Sequence, residues 1–373
     1  MEKTDIAIIG AGAVGLAVAF RLSEFYKDIF IIERNSSFGQ ETSSRNSEVI
    51  HGGMYYPPDS LKKKTCIEGR RLLYQYCREN DIPHKKVGKL IVAIDPDEIR
   101  DLEALFKQGQ ENGVEGLKLL SKEEIKKIEP NIRAEAAIYS PETGIIDSHS
   151  FMKNLVFRFE RNNGFIVYNS EVTGIDKTKE GFEMTLKSAQ EGELKLAARV
   201  VINAAGLNSD KVARMAGLMK DEYTLKYCKG DYFRSNQRKA KFINHLIYPV
   251  PVKDHAGLGV HATLDLAGGL RFGPDTEYVK EIYYDIDPKK GKSFYESIRR
   301  FLPFMEEGDL SPDTAGMRPK LQGEGEGFRD FIIKEESANH LPGLINLIGI
   351  ESPGLTGALS IGGMVKGMVD ALC

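Results

Sequence analysis

Residues 5–15 read DIAIIGAGAVG, an apolar run that leads into three glycines. The first half, Asp5–Ile9, predicts a buried β-strand, and Val14–Tyr26 predicts a helix with small residues on its sheet-facing side. A second strand is predicted at Ile29–Glu33. Strand, helix and strand within about 30 residues form the βαβ unit with which many nucleotide-binding sheets begin.

The three glycines stand at the spacing of a dinucleotide-binding turn. Gly10 permits a tight turn, Gly12 lets the backbone approach a pyrophosphate, and Gly15 lets the helix pack closely on the strand. At Ala13 and Val14, phosphates would face free N–H groups and the positive end of the helix dipole. We therefore expect these five residues to hold the phosphates of a dinucleotide. The alternative is a glycine-rich turn that binds nothing.

An acidic residue ends the second predicted strand. Glu33 is placed to accept hydrogen bonds from the hydroxyls of an adenosine ribose. Its charge would repel a 2′-phosphate, so NADP is disfavoured. We expect Arg34, the next residue, to contact the cofactor as well.

Two later stretches favour FAD over NAD. Residues 200–206 (VVINAAG) resemble the strand and turn that line the cofactor in two-dinucleotide-binding-domain flavoproteins, and residues 349–356 (GIESPGLT) resemble their C-terminal turn. That turn places a helix N-terminus beside the flavin, where it stabilises negative charge on the reduced pyrimidine side. The cofactor contacts expected in these stretches are Ala205, Gly206, Gly354, Leu355 and Thr356, and Val172 is expected to contact the cofactor as well.

Further motifs narrow the family. They are TSSRNSEVIHGGMYY (42–56), EGRR (68–71), GKLIVA (88–93), YPVP (248–251), GVH (259–261) and GMRPK (316–320). Over nearly the whole chain they resemble the L-2-hydroxyglutarate dehydrogenase family, a branch of the D-amino-acid-oxidase-like flavoproteins. The resemblance implies an FAD enzyme that oxidises a small 2-hydroxy dicarboxylic acid, with L-2-hydroxyglutarate as the best candidate, by hydride transfer to flavin. The flavin contacts expected on the first motif are Ser43, Ser44, Arg45, Asn46 and Ser47.

The expected fold class is α/β. It comprises a Rossmann-like FAD-binding domain of the two-dinucleotide-binding-domain type and an interleaved α+β substrate domain built on a mixed or antiparallel sheet. Short β-rich runs between Tyr223 and Tyr284, broken by Gly, Asp and Pro, predict that second sheet. We assign residues 1–55, 147–222 and 325–373 to the FAD-binding domain, and residues 56–146 and 223–324 to the substrate-binding domain.

Oxidation of a hydroxy acid needs a base for the hydroxyl proton and cations for the carboxylates. Histidine is the natural base at neutral pH, and we favour His51 over His261, although either could be the base, bind a carboxylate or be structural. Arg318 is the best carboxylate clamp, because its planar fork can bind two oxygens. Lys320 points to the same side as Arg318 if residues 316–320 form a strand, because residues two apart share a face. The alternative for Lys320 is an exposed surface lysine.

Four other residues have weaker expectations. Tyr248 and Tyr55 could donate hydrogen bonds to a substrate, although a core tyrosine satisfied by backbone is the commoner case. Arg70 and Arg71, on a predicted helix, are interpreted as structural ion-pair partners.

Composition limits the function classes. The chain has 373 residues and a net charge of −3, which argues against a sequence-wide nucleic-acid footprint. Its four cysteines (Cys66, Cys77, Cys228 and Cys373) show no CxxC pair and no metal-ligand spacing, so we expect no metal and a reduced, cytoplasmic protein. The uncharged run Ile6–Phe20 is shorter than the roughly 20 residues that span a bilayer, which leaves peripheral membrane contact open.

Two other functions are weighed against the leading hypothesis. One is an amino-acid or N-methyl-amino-acid oxidase on the same fold. The other is a non-catalytic relative that binds a protein or tRNA, against which the intact glycines and Glu33 count. For an enzyme, the expected partners are a small carboxylate substrate and an electron acceptor, which could be a quinone, another acceptor or oxygen.

Overall fold

The computed structural model describes residues 2–188, 190–235, 237–251 and 259–372. These residues form two large β-sheets, a small three-stranded sheet and the helices that cover them.

The strands are β1 (Glu2–Ile9), β2 (Ile29–Ile32), β3 (Val49–Ile50), β4 (His84–Lys85), β5 (Lys89–Ala93), β6 (Lys118–Ser121), β7 (Ala136–Ser140), β8 (Gly144–Ile146), β9 (Phe165–Val167), β10 (Ser170–Lys177), β11 (Phe182–Ser188), β12 (Gly192–Asn203), β13 (Lys226–Ser235), β14 (Leu246–Pro249), β15 (Ala262–Leu264), β16 (Leu270–Phe272), β17 (Glu277–Val279), β18 (Leu310–Lys320), β19 (Ile332–Glu336) and β20 (Leu341–Ile348). The helices are α1 (Ala13–Ser23), α2 (Leu61–Glu79), α3 (Ile99–Glu111), α4 (Lys122–Ile128), α5 (Ser148–Arg161), α6 (Ser209–Met215), α7 (Gln237–Ala240), α8 (Lys290–Ile298) and α9 (Gly354–Asp370).

The first sheet is built on five parallel strands in the order β9-β2-β1-β12-β20. Alternate residues of β1 point to opposite faces. Ile6 and Ile8 pack in a core with α1, α5 and α9, whereas Ala7 and Ile9 pack in a core with α6 and the β10–β11 hairpin. Helices on both faces of a parallel sheet confirm the expected α/β class and its Rossmann-like first unit.

The second sheet has the order β17-β13-β16-β15-β14-β5-β7-β6, with β18 also paired to β13. Strands β14 and β5 are parallel, and the other registered pairs are antiparallel. The expectation of a mixed sheet is therefore confirmed. Residues 89–140 and 226–320 supply its strands, while the boundaries assigned to the two domains stay a prediction.

Helices of the first unit approach one another through glycines. A Cβ atom on Gly362 of α9 would lie 2.8 Å from the carbonyl oxygen of Ala17 on α1. A Cβ atom on Gly69 of α2 would lie 2.4 Å from the carbonyl oxygen of Thr356 on α9. Only a residue without a side chain permits such contacts. The glycines thus bring the first and last helices of the chain together.

Element boundaries depart from the sequence in one instructive place. The strand expected from the resemblance of residues 200–206 is only the end of β12, which begins at Gly192. The earlier half pairs antiparallel with β11 and is mostly exposed or half-buried, so a search for continuous apolar runs overlooks it. Among the described residues, none of the helices combines the length and the apolar character that crossing a membrane requires.

Candidate active site

Two adjoining cavities lie where β1 and β12 end. The small cavity has a volume of about 140 Å³ and is bordered by Gly10 and Glu33. The large cavity has a volume of about 710 Å³ and is bordered by His51 and Arg318. Gly12 borders both, so the glycine turn stands at their junction. A crevice outside the carboxyl ends of parallel strands is the usual ligand site of such sheets.

The glycine turn is too tight for side chains. Gly10 has φ +105°, and a Cβ atom there would lie 2.6 Å from the carbonyl oxygen of Ala204. A Cβ atom on Gly15 would lie 2.1 Å from the carbonyl oxygen of Gly10. Gly12 is the N-cap of α1 and supplies no side-chain cap, while the amide of Ala13 donates to Ser43 Oγ at 3.0 Å. This turn has the narrow, amide-rich shape that a pyrophosphate requires.

Glu33 is fixed at the edge of the small cavity. Its side chain is 7% exposed, and its two oxygens accept hydrogen bonds from the backbone amides of Ala11 and Asn35, each at 2.8 Å. Arg34 forms an ion pair with Glu41. A carboxylate held in this way offers its remaining lone pairs to a ribose. Other predicted contacts that border the small cavity are Val172, Ala205 and Gly206.

The far end of the chain reaches the large cavity. Helix α9 begins at Gly354 with no side-chain cap and no acidic residue in its first turn, so its positive dipole end is not neutralised there. Gly354, Leu355 and Thr356 border the same cavity as Ala13 and Val14 of α1. The two ends of the chain therefore meet at one site. The residues fit a dinucleotide flavin whose nucleotide end and ring end lie near two helix N-termini.

The loop before β3 connects the glycine turn to the second sheet. Thr42 Oγ1 donates to the carbonyl oxygen of Met317 at 2.9 Å, and Arg45 lies with its guanidinium 4.0 Å from the ring centre of Tyr284. The predicted contacts on this loop that border the large cavity are Ser43, Arg45, Asn46 and Ser47. Ser44 borders neither cavity, and its hydroxyl donates to the carbonyl oxygen of Glu41.

Arg318 is held by backbone rather than by a carboxylate. Its Nε donates to the carbonyl oxygen of Cys228 at 3.3 Å, and its Nη2 donates to those of Lys229 at 2.9 Å and Asp275 at 2.7 Å. The Nη1 group has no hydrogen bond to any described residue. Three carbonyl groups therefore already occupy the Nε–Nη2 edge of the guanidinium. Nη1 remains for an anion in the large cavity.

Lys320 lies at the end of β18, two residues after Arg318, and also borders the large cavity. It is 8% exposed, so the alternative of an exposed surface lysine is wrong. Its Nζ lies 3.9 Å from Glu351 Oε2, while Glu351 Oε1 lies 2.9 Å from Lys62 Nζ. Among the described residues, two lysines thus face one carboxylate at this side of the cavity.

The two candidate histidines differ in their surroundings. His51 Nε2 lies 3.3 Å from Ser352 Oγ, and burial, followed by the charge of Lys89, lowers its pKa to about 3. The imidazole is therefore uncharged at pH 7. His261 is 6% exposed and stacks on Tyr248 with the ring centres 3.7 Å apart. Both border the large cavity, but aromatic stacking covers one face of His261.

Two tyrosines form one wall of the large cavity. Tyr248 is 1% exposed, and burial raises its pKa. The buried hydroxyl of Tyr55 has no hydrogen-bond partner among the described residues, and burial raises its pKa well above the usual value. Both phenols therefore keep their protons. For Tyr55 the alternative of a hydroxyl satisfied by backbone is wrong.

Residues 5–367 match the DAO family, whose description is FAD dependent oxidoreductase. The chain belongs to this family. An FAD-dependent oxidoreductase also accounts for both helix N-termini at the cavities, so FAD is the cofactor.

Three relatives illustrate the similarity. The chain is 40% identical to "L-2-hydroxyglutarate dehydrogenase, mitochondrial" of Arabidopsis thaliana, over 96% of this chain and 82% of that protein. It is 33% identical to "Glycerol 3-phosphate dehydrogenase" of Caloramator mitchellensis, over 96% and 72%. It is 28% identical to the solved structure "Dithionite reduced L-alpha-Glycerophosphate Oxidase from Mycoplasma pneumoniae with FAD bound", with a TM-score of 0.87 over 99% and 95%.

One buried cation near the site of this oxidoreductase is not among the residues predicted from the sequence. Lys89 opens β5, and its side chain is 1% exposed. The signal in the sequence is a lysine directly before four apolar residues, within the motif GKLIVA that was used only for the family resemblance. By contrast, Arg70 and Arg71 both form ion pairs with Glu115, which confirms their structural interpretation.

Proposed function

We propose that this FAD-dependent oxidoreductase oxidises L-2-hydroxyglutarate, or a closely related 2-hydroxy dicarboxylate, to the 2-oxo acid. The observation that carries the proposal is the set of side chains that border the large cavity. A neutral histidine, His51, borders it together with the cations Arg318 and Lys320. A base plus two cations suits a hydroxy acid with two carboxylates. The name of the Arabidopsis relative supports the same substrate.

The proposed chemistry assigns one task to each residue. His51 takes the hydroxyl proton at Nε2, where the substrate hydroxyl replaces the hydroxyl of Ser352 as hydrogen-bond partner. Arg318 binds one carboxylate through Nη1, since carbonyl groups hold the rest of its guanidinium, and Lys320 attracts the other. The chemistry that FAD supplies when bound is acceptance of the hydride from the carbon that carries the hydroxyl group. Loss of that proton and hydride leaves the C=O group of the product.

The remaining candidate residues are assigned either to FAD binding or to the wall of the large cavity. We propose that Tyr248 and His261 shape the wall of the cavity and that Arg34 and Glu33 hold the adenosine end. The residues proposed to contact the rest of FAD are Gly10, Gly12, Ala13, Val14, Gly15, Ser43, Ser44, Arg45, Asn46, Ser47, Val172, Ala205, Gly206, Gly354, Leu355 and Thr356. Of these, Ser44 has the weakest support, because it borders neither cavity.

Anaerobic reduction of the bound flavin tests the substrate. Purified holoenzyme is mixed with L-2-hydroxyglutarate, its D-enantiomer, glycerol 3-phosphate, glycine and sarcosine in separate samples, and bleaching of the yellow colour is followed. Rapid bleaching by L-2-hydroxyglutarate is expected. Bleaching by the amino acids alone would overturn the proposal and favour an amino-acid oxidase on the same fold.

Glycerol 3-phosphate is the second candidate substrate. It is favoured by the likeness to the Mycoplasma oxidase and the Caloramator dehydrogenase. The same base and cations suit an alcohol that carries a phosphate. Faster bleaching by glycerol 3-phosphate than by L-2-hydroxyglutarate would select this candidate.

We further propose that the protein is located in a reducing compartment such as the cytoplasm. Cys66, Cys77 and Cys228 are buried and free, which supports it, while Cys373 lies outside the described residues. The name of the Arabidopsis relative says mitochondrial. The electron acceptor can be a quinone, another acceptor or oxygen, and the rate at which each reoxidises the reduced enzyme would distinguish them.

A further inference from the structure

Lys89 is a buried cation without a counter-ion among the residues that the structure describes. Its ammonium forms no ion pair and no hydrogen bond with any described residue, and its side chain is 1% exposed. Lys229, which is similarly buried, lies 2.6 Å from the carboxylate of Asp231. A buried lysine is usually paired with a carboxylate in this way. An unpaired charge in the interior is strongly unfavourable unless a ligand compensates for it.

The ammonium of Lys89 lies behind the tyrosine wall of the large cavity. It is 4.7 Å from the ring centre of Tyr55 and 4.5 Å from that of Tyr248, in cation–π geometry. Both tyrosines border the cavity, whereas Lys89 does not. The positive charge therefore lies directly against two aromatic rings that border the cavity.

The groups that face Lys89 are neutral. Burial raises the pKa of the Cys66 thiol, on α2, to about 12, and it raises the pKa values of the Tyr55 and Tyr248 phenols. The low pKa of His51 keeps the imidazole uncharged. Burial lowers the pKa of Lys89 itself to about 7. Among the described residues no negative charge faces the ammonium, so an anion in the cavity would be its first counter-charge.

We propose that Lys89 is a positioning residue for the anionic substrate: its charge draws a substrate carboxylate to the hydroxyl of Tyr55 on the cavity side of the wall. The inference rests on the proposed function, because it requires an anionic substrate. A cation on the face of a phenol makes its hydroxyl a better hydrogen-bond donor. The Tyr55 hydroxyl is buried at the cavity and has no partner among the described residues, so it is ready to donate.

Binding of glutarate, a dicarboxylate that cannot be oxidised in this way, tests the inference. Its Kd for the oxidised holoenzyme is measured from the change in flavin absorbance between pH 6 and pH 9. For the wild type, affinity should fall above pH 7 as Lys89 loses its proton. Lys89→Met should weaken binding about tenfold at pH 6.5 and abolish that fall. Lys89→Arg should keep tight binding and show no fall, because guanidinium stays charged.

Lys86→Met is the matched control. Lys86 lies 4.8 Å from the ring centre of Tyr74, so it is also a lysine over a tyrosine, but neither residue borders the cavity. Its removal should leave the Kd of glutarate unchanged. If Lys89→Met binds glutarate as the wild type does, the inference is overturned. If Lys89→Met does not fold, Lys89→Arg decides, since a fall in affinity identical to that of the wild type would contradict the inference.

The steady-state constants separate this inference from the proposed function. For L-2-hydroxyglutarate, Lys89→Met should raise KM about tenfold and leave kcat within about threefold. If Lys89→Met oxidises this substrate with the same KM as the wild type, only the role of Lys89 is rejected. Glutarate binding that depends on Lys89, without oxidation of L-2-hydroxyglutarate, would reject only the substrate. Absence of glutarate binding to the wild type would reject both.

Discussion

The backbone amide of His51 donates a hydrogen bond to the hydroxyl of Thr356 at 3.1 Å, although the two residues lie 305 positions apart in the chain. The same hydroxyl donates to the carbonyl oxygen of Val49 at 3.3 Å. Thr356 belongs to the first turn of α9, whose N-terminus borders the large cavity. One buried hydroxyl thus fixes the position of the proposed base relative to the helix end at the flavin site.

Thr356→Val should loosen this connection. Valine has nearly the same shape but cannot accept from the His51 amide, so a buried donor loses its partner. We expect a loss of about 1–3 kcal/mol in the free energy of unfolding, measured by urea denaturation of the holoenzyme. Because the base then shifts, kcat/KM should fall about tenfold. Thr356→Ser, which keeps the hydroxyl, serves as the control, and equal losses in both variants would count against the role of the hydrogen bond.

His51→Gln should remove the proposed base. We expect kcat to fall about 10²–10⁴-fold while FAD stays bound, as shown by an unchanged ratio of flavin to protein. His261→Gln, in the same cavity, should have the smaller effect. Since the pKa of His51 is lowered to about 3, the wild type should show no acidic limb of kcat/KM between pH 5 and pH 7. A larger loss of kcat in His261→Gln than in His51→Gln would identify His261 as the base.

Arg318→Ala should weaken use of the substrate and leave the flavin in place. Loss of Nη1, and of a side chain that three carbonyl oxygens hold in position, should reduce transition-state stabilisation by about 2–4 kcal/mol. The ratio of kcat/KM values gives this quantity directly. Arg318→Lys should not restore the activity, because an ammonium cannot span the same carbonyl groups. Unchanged turnover in Arg318→Ala would remove Arg318 from the site.

The sequence predicted the cofactor end of the site better than the substrate end. Gly10, Gly12 and Glu33 lie within one βαβ unit, so their spacing along the chain already determines their geometry. The carbonyl groups that hold Arg318 come from β13 and from Asp275, and no local pattern indicates them.

Lys89 shows why the substrate end was harder to predict. Its surroundings form where β5 pairs with β14 and where the loop that carries Tyr55 folds against them. Hydrophobic runs predict the strand, but they do not show which charge the fold leaves unpaired. That depends on contacts between residues distant in sequence.

Gly12→Val should abolish FAD retention without unfolding the chain. A Cβ atom at Gly12 would lie 3.0 Å from Ser43 Oγ, a contact that the serine can relieve by a small movement. The rest of the valine would project toward the cavities and block a pyrophosphate. The expected product is a folded, colourless protein, measured by circular dichroism and flavin absorbance. Gly363→Ala, on the open side of α9, is the control and should stay yellow. Retained flavin in Gly12→Val would contradict the pyrophosphate site.

Lys89→Met should raise stability while it weakens substrate binding. The pKa of Lys89 is lowered to about 7 in the folded protein and is near 10.5 in the unfolded chain. Between these values the unfolded chain binds more protons, so the wild type gains stability as pH rises from 7 to 10.5; below pH 7 the penalty is complete. Methionine has no such penalty. Its advantage in free energy of unfolding should be about 1–4 kcal/mol at pH 6 and should shrink toward pH 10.

Urea denaturation of wild type and Lys89→Met at pH 6 and pH 10 measures this difference. Lys229→Met provides the contrast, since it removes a buried lysine that is paired with Asp231 and leaves Lys290 as the remaining ion-pair partner of that carboxylate. It should lower stability at both pH values. A lysine kept only for packing would also lower stability when replaced. A less stable Lys89→Met at pH 6 would therefore indicate that its charge is already balanced in the free enzyme.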